Sequence, residues 1–202
     1  MTAGGTREYI DPVRYISNAS TGKMGYAIAR AAIKAGHSVT LITAPTSLKP
    51  PKGATVIDVV ASDEMFKAVK GEFAKCDTLV MAAAVSDYKP PKQSGTKLKK
   101  EQTVLSLTLK PTTDILKWAG RNKTKDQTLV GFALEDKNLL ANAEKKLKSK
   151  KLDIIVANEP AAIGADTSTI HIKTKTGDWT TYKTVSKTTS AKRILNEIIR
   201  LQ

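Results

Sequence analysis

The chain is poor in several things that would have pointed to particular chemistries. Among its 202 residues are one cysteine, Cys76, and two histidines, His37 and His171. A single cysteine forms no internal disulfide, and two separated histidines do not make a metal site. Cys76 lies just before the apolar run Thr78 to Ala84, a setting that suits a buried structural thiol better than a catalytic one. His37 follows a helix-ending glycine and His171 falls in an alternating stretch, so both have structural explanations. No apolar run approaches the roughly 20 residues of a membrane span. No signal peptide is recognisable, and a cytoplasmic location is expected. Aromatic residues make up 5% of the chain, too few for a row of base-stacking platforms. Neither a P-loop nor a clean G-x-G-x-x-G is present.

Positive charge is abundant. Lysine and arginine number 33 against 19 acidic residues, a net charge of +14. Such a balance calls for an anionic partner, and nucleic acid is one candidate. Much of the excess, however, lies between Lys145 and Lys151, opposite Leu139, Leu140, Ala143 and Leu147 on a predicted helix. The basic run Lys97 to Lys100 has no interleaved aromatics. These lysines read as a solvated face or as ligands for a small anion rather than for a polymer.

Two stretches near the start concentrate glycine and hydroxyl residues: Thr2-Ala-Gly-Gly-Thr-Arg-Glu8 and Ser20-Thr-Gly-Lys-Met-Gly25. The second precedes the periodic apolar residues Ala27, Ile28, Ala31 and Ala32, so it opens an amphipathic helix with Ser20 or Thr21 as the expected N-cap. A helix start offers unpaired N–H groups and the positive end of the dipole, and glycines admit a ligand close to backbone. The stretch therefore marks a place for phosphate, with a ligand-free tight turn as the alternative.

The remaining pattern predicts an α/β chain with a mostly parallel, Rossmann-like sheet flanked by helices. Helices are expected near 24–35, 62–75, 114–121, 137–150 and 190–201. Strands are expected at 38–43, 55–60, 78–84, 103–109, 128–134 and 153–157, with a C-terminal hairpin over 169–174 and 179–185. Pro90-Pro91 forbids helix in a segment without periodicity, so 86–100 is expected to be a mobile loop. No repeat or long linker divides the chain, and one domain is expected over 1–202. A doubly wound sheet normally reaches its first glycine turn from a buried strand, yet only Met1 precedes Thr2. The reading therefore expects the first strand to be lacking.

Several motifs occur together and in order: the two stretches above, Asp11-Pro-Val-Arg-Tyr-Ile-Ser-Asn18, Ala82-Ala-Ala-Val-Ser-Asp87, Lys97-Leu-Lys-Lys100, Gly131-Phe-Ala133 and Asp153-Ile-Ile-Val-Ala-Asn158. As a set they resemble phosphopantothenoylcysteine synthetase, a ligase that in bacteria commonly follows a flavin-dependent decarboxylase domain. With only Met1 before the first motif, no decarboxylase domain and no flavin chemistry are expected within these 202 residues. The resemblance implies two steps. The carboxylate of 4'-phosphopantothenate attacks the α-phosphate of CTP with Mg2+ present, giving an acyl-cytidylate and pyrophosphate. The amine of cysteine then displaces CMP.

The resemblance also assigns roles. Asn18 holds the acyl-cytidylate, and Lys97 contacts the triphosphate as charge builds. Met81, Ala82, Ala83, Asp87, Phe132, Lys146 and Lys150 are implied at the nucleotide, as are Thr113, Asp114, Ile115 and Leu116, where the proline often found before that aspartate is missing. Arg14, Ser20, Thr21 and Gly22 are implied at phosphate, of substrate or of nucleotide. A homodimer is implied as well, with no membrane or nucleic-acid partner; magnesium ligands are not indicated. Two other classes share parts of this pattern. A nicotinamide-dependent reductase shares the α/β order, but the chain has no clean G-x-G-x-x-G and no well-placed acid after the strand at Val39 to Thr43. A non-enzymatic nucleic-acid-binding domain would explain the charge and leave Asn18 idle.

Overall fold

Strands buried on both faces must place apolar side chains alternately up and down, and the central strands of this chain do so. The computed structural model describes residues 1–100 and 104–202. The first part of the chain contains β1 (Thr2–Ala3), β2 (Arg7–Tyr9), β3 (Tyr15–Ser17), α1 (Lys23–Lys34), β4 (Val39–Thr43) and β5 (Ala54–Asp58). Next come α2 (Ser62–Phe73), β6 (Thr78–Met81), β7 (Tyr88–Lys89), β8 (Lys110–Pro111), α3 (Ile115–Asn122) and β9 (Thr128–Leu134). The last part holds α4 (Leu139–Ser149), β10 (Ile154–Asn158), β11 (Thr167–Thr174), β12 (Thr180–Ser186) and α5 (Lys187–Leu201).

One eight-stranded sheet runs in the order β12-β11-β10-β9-β6-β1-β4-β5. Its pairs from β5 to β10 are parallel, and β10, β11 and β12 are antiparallel. In β6, Leu79 and Met81 join the apolar cluster formed with α2, α3 and α4, whereas Val80 joins the cluster formed with α1 and α5. Strand β10 divides likewise, Ile155 and Ala157 against Ile154 and Val156. The result is three layers, with α1 and α5 on one face and α2, α3 and α4 on the other.

The slot of the first strand, expected to be lacking, is filled by Thr2–Ala3. Thr2 pairs with Ile42 on one side and Met81 on the other. The start of α2 is also secured from a distance: buried Glu8 accepts hydrogen bonds from the Ser62 amide at 2.9 Å and the Ser62 hydroxyl at 3.1 Å. A carboxylate placed there complements the helix dipole as well.

Three expectations need correction. Residues 104–109 form no strand; Val104 and Leu105 are 71% and 61% exposed, and pairing starts only at Lys110, against β7. Alternation supplies two faces, but among the described residues no strand pairs with this segment; Thr103 lies outside them. The last helix begins at Lys187 rather than near Ser190, because Ser186 caps it by accepting the Thr189 amide at 3.1 Å. The 86–100 segment contains β7 and is tethered, the Ser94 amide donating to Ile10 O at 2.9 Å and the Leu98 amide to Asp11 Oδ2 at 3.1 Å.

Candidate active site

Because β1 lies between β4 and β6, the chain winds to one side of β1 through α1 and to the other through α2. The loops leaving β1 and β6 therefore part at the carboxyl ends of the strands, where open α/β sheets form their crevice. Hydrogen bonds hold the two loops in register: the Ala84 amide donates to Gly4 O at 2.8 Å, and the Ser86 amide to the Thr6 side-chain Oγ1 at 2.9 Å. Between them opens a cleft of about 570 Å³.

One wall is the start of α1. Its N-cap is Gly22, with φ of +76°, not Ser20 or Thr21 as expected. The left-handed turn needs a residue without Cβ. Ser20 Oγ instead accepts the Gly22 amide at 3.3 Å, and Thr46 Oγ1 donates to Thr21 O at 2.8 Å. No side chain caps the helix and no acid sits in its first turn, so its first N–H groups face the cleft end uncompensated. Asn18, on the same wall, donates from Nδ2 to Val85 O at 3.2 Å, which ties it to the loop after β6. A second contact, to Ala84 O, is long at 3.5 Å, so one N–H and the carbonyl oxygen can still turn to a ligand.

The opposite wall comes from α3, α4 and β9. Asp114 caps α3, accepting the Lys117 amide at 2.9 Å, and pairs with Lys150 Nζ at 2.9 Å. Partial burial pushes the Asp114 carboxyl up, but the Lys117 amide and Lys150 outweigh it and the net shift is downward. Lys146 is held below the usual lysine range, first by burial and then by Lys150, against the pull of Asp114, Glu135 and Asp87. Lys146 and Lys150 sit one helical turn apart, and half-buried Phe132 of β9 also lines the cleft.

Met81, Ala82, Ala83, Asp87, Thr113, Ile115 and Leu116 line the same cleft, as do Ser20 and Thr21. Arg14 and Lys97 do not. Arg14 is bound within its own turn to Asp11, at 2.6 Å, and to the Leu98 carbonyl, so it fastens the basic loop instead. Among the cleft residues not foreseen are Lys23, Glu135, Asn158, Ile163 and Lys187. Asn158 ended a motif that had been noted as a whole. Lys187 had no local signal, since its position depends on how α5 packs against α1.

Chemically the cleft favours anions. Its described lining includes no histidine or cysteine, and its carboxylates are outnumbered by lysines. Among the described residues no group of three His, Cys, Asp or Glu side chains is arranged to hold a metal. The arrangement can bind and neutralise phosphates and orient a reacting group through neutral amides.

Comparison with known proteins places this geometry in context. The family model of the DNA/pantothenate metabolism flavoprotein C-terminal domain matches residues 1–201. The chain is 45% identical over 206 residues to the coenzyme A biosynthesis bifunctional protein CoaBC of Bacillus subtilis, covering 100% of this chain and 50% of that protein. It thus spans about half the length of the relatives it matches. A crystal structure of the C-terminal domain of a CoaBC superposes with a TM-score of 0.86 at 36% identity, covering 99% and 92% of the two chains. A Cab2 mutant in complex with phosphopantothenate-cysteine shares the fold, with a TM-score of 0.80 at 18% identity over 98% and 84%.

Proposed function

Since the chain belongs to the family of the DNA/pantothenate metabolism flavoprotein C-terminal domain, we propose that it is a ligase of coenzyme A biosynthesis that joins 4'-phosphopantothenate to cysteine. The observation that carries this reading is convergence. Asn18, the Ser20 to Gly22 turn, Asp87, Asp114, Phe132, Lys146 and Lys150 come from separate stretches and line one cleft.

In the first step a carboxylate oxygen of phosphopantothenate attacks the α-phosphorus of CTP and pyrophosphate leaves. In the second the cysteine amine attacks the acyl carbon, CMP leaves, and the amine loses a proton to solvent. Neither step requires a protein nucleophile, in keeping with a cleft of lysines and amides. Asn18 would donate to the acyl-phosphoryl oxygens while staying neutral, as an aspartate there could not. The nucleotide would run across the wall formed by Asp87, the Thr113 to Leu116 segment, Phe132, Lys146 and Lys150. Magnesium would arrive on the triphosphate, since this ion is commonly held by substrate phosphates with few protein ligands.

A homodimer completes the reading. Arg14 does not line the cleft of its own chain and is flanked by Val13 and Tyr15, 58% and 41% exposed. In the proposed assembly Arg14 and Lys97 of one copy reach the substrate phosphate and triphosphate in the cleft of the other. The cytoplasm, where coenzyme A precursors are found, is the proposed location. By analogy with the bifunctional relatives, a decarboxylase domain is its proposed companion.

The test is to supply phosphopantothenate, cysteine, magnesium and either CTP or ATP, and to identify the nucleoside monophosphate released. CMP together with phosphopantothenoylcysteine is expected; release of AMP alone refutes the CTP preference, and absence of the amide product refutes the activity. Asn18→Asp should release pyrophosphate yet form no amide, and Lys97→Gln should accumulate no acyl-cytidylate.

A further inference from the structure

A second pair of lysines meets the cleft at its α1 end, and no part of the reaction above uses it. Lys23, the first residue of α1, donates from Nζ to Gly164 O at 2.9 Å and to Asp166 Oδ1 at 2.7 Å. Lys187, the first residue of α5, donates to Ala162 O at 3.1 Å and Ser168 Oγ at 3.1 Å. Both ammonium groups thereby clasp the same short segment, Ala162 to Gly164, which also lines the cleft. An ammonium has three N–H donors, so each lysine keeps one beyond those bonds.

The local charge does not balance. Two ammonium groups are matched by one carboxylate, Asp166, whose side chain is 89% exposed and well screened by water. No acid lies in the first turn of either helix. Burial first, and then Lys23, hold the Lys187 amine below the usual lysine range against the pull of Asp166. The opposite end of the cleft is different, because there Asp114 and Glu135 accompany Lys146 and Lys150. Carboxylates in that company can accept from sugar hydroxyls or base amines, whereas the Lys23 and Lys187 end offers donors almost exclusively.

We propose that Lys23 and Lys187 form the seat of the β- and γ-phosphates of the nucleotide, and hence of the pyrophosphate that leaves in the first step. The proposal rests on the ligase reading for the identity of the ligand. With Asn18 at the α-phosphate, the chain from Asn18 to Lys23 leads from the reacting phosphorus to this end, so the rest of the triphosphate extends toward the lysine pair. The Ala162 to Gly164 segment, held by both lysines, roofs the seat.

The proposal is tested by titrating the full chain calorimetrically with inorganic pyrophosphate and magnesium, and separately with CMP, which lacks the β- and γ-phosphates. Lys187→Gln and Lys23→Gln should each weaken pyrophosphate about tenfold, the loss of one charge-assisted hydrogen-bonding group, and leave CMP within about twofold. Asp166→Asn should tighten pyrophosphate about threefold by removing the competing carboxylate, a gain that a purely structural role for the cluster does not produce. Equal weakening of CMP and pyrophosphate overturns the assignment, as does unchanged pyrophosphate affinity in both lysine variants or failure of the parent to bind pyrophosphate. The readout is binding of an inorganic anion, so a chain that forms no amide yet shows this pattern refutes the ligase reading alone.

Discussion

Gly120 is where the geometry of the cleft depends most directly on the absence of a side chain. A Cβ at this position would lie 1.8 Å from the carbonyl oxygen of Lys150 and 2.9 Å from its carbonyl carbon. The obstacle is backbone, fixed by the Lys150 amide bonding Lys146 O at 3.0 Å and the Leu152 amide bonding Leu147 O at 2.9 Å. Helix α3 would have to move outward by more than an ångström, taking buried Leu116 and Ala119 off the sheet. Alanine favours helix over glycine by about 1 kcal/mol. Overpacking costs about 1–3 kcal/mol, and the upper end applies because no flexible side chain can yield. Gly120→Ala should therefore lose about 2 kcal/mol net, or roughly 4–8 °C in Tm for a chain of this size. Gly71→Ala in α2 is the control: nothing lies within 4 Å of its added Cβ, so the same substitution should gain about 0.4–1 kcal/mol. Thermal and urea denaturation of both variants decide the matter. A Gly120→Ala protein as stable as the parent would refute the argument that α3 and the end of α4 meet backbone to backbone.

Other expectations follow from buried and exposed groups. Asp153, 5% exposed, pairs with Lys123 and with Lys175 at 2.9 Å and accepts the Leu129 amide at 2.8 Å. Burial raises its carboxyl, but these partners outweigh burial and hold it below the usual range. Its contribution is thus present above the unfolded pKa of about 4 and lost as pH falls through the lower folded value. Asp153→Asn should cost about 2 kcal/mol at neutral pH, less than for a fully buried pair because Lys175 is more than half exposed. The difference from the parent should shrink in acid; a constant difference from pH 7 to 3 would count against it. Lys146, faced by Lys150, Asp114, Glu135 and Asp87, loses its proton at lower pH than a free lysine. Nucleotide KM should therefore rise on the alkaline side sooner in the parent than in Lys146→Arg, and superimposable profiles would exclude Lys146 from the nucleotide. Val13→Glu, beside Arg14, should convert the proposed dimer to a monomer in sedimentation; a parent that is monomeric at micromolar concentration would remove the proposed assembly.

The sequence conveyed the central strands well because burial on both faces gives them continuous apolar runs of strand length. The strand predicted at 128–134 is the observed one, and the helices predicted at 24–35 and 62–75 match α1 and α2 within a residue or two at each end. What failed had no local cause. The alternation of residues 104–109 looks like that of a paired strand, but pairing needs a neighbour that sequence periodicity does not specify. The cap of α1 moved from Ser20 or Thr21 to Gly22 because Thr46, from the loop after β4, fixes the turn by bonding Thr21 O. The β2–β3 hairpin went unrecognised because its strands are three residues each, too short to show a period.

Motif resemblance and tertiary proximity also proved to be separable kinds of information. The motifs containing Arg14 and Lys97 stand beside the others in sequence, yet the fold withholds both residues from the cleft that receives the rest. Arg14 is not idle in that position: its bonds to Asp11 and the Leu98 carbonyl join the turn after β2 to the basic loop. Arg14 and the loop bearing Lys97 thereby become one unit, with exposed Val13 beside Arg14. Separate loss of two motif residues from a site would be hard to reconcile with a shared chemistry, but their joint displacement as a single braced unit has a simpler consequence. If a second copy supplies that unit, Asp11→Ala should act on catalysis by unbracing Arg14 and Lys97 together, lowering turnover as much as losing either. CMP binding to the isolated cleft should be unaffected. Calorimetry with CMP beside steady-state turnover distinguishes this from general damage, in which both would fall.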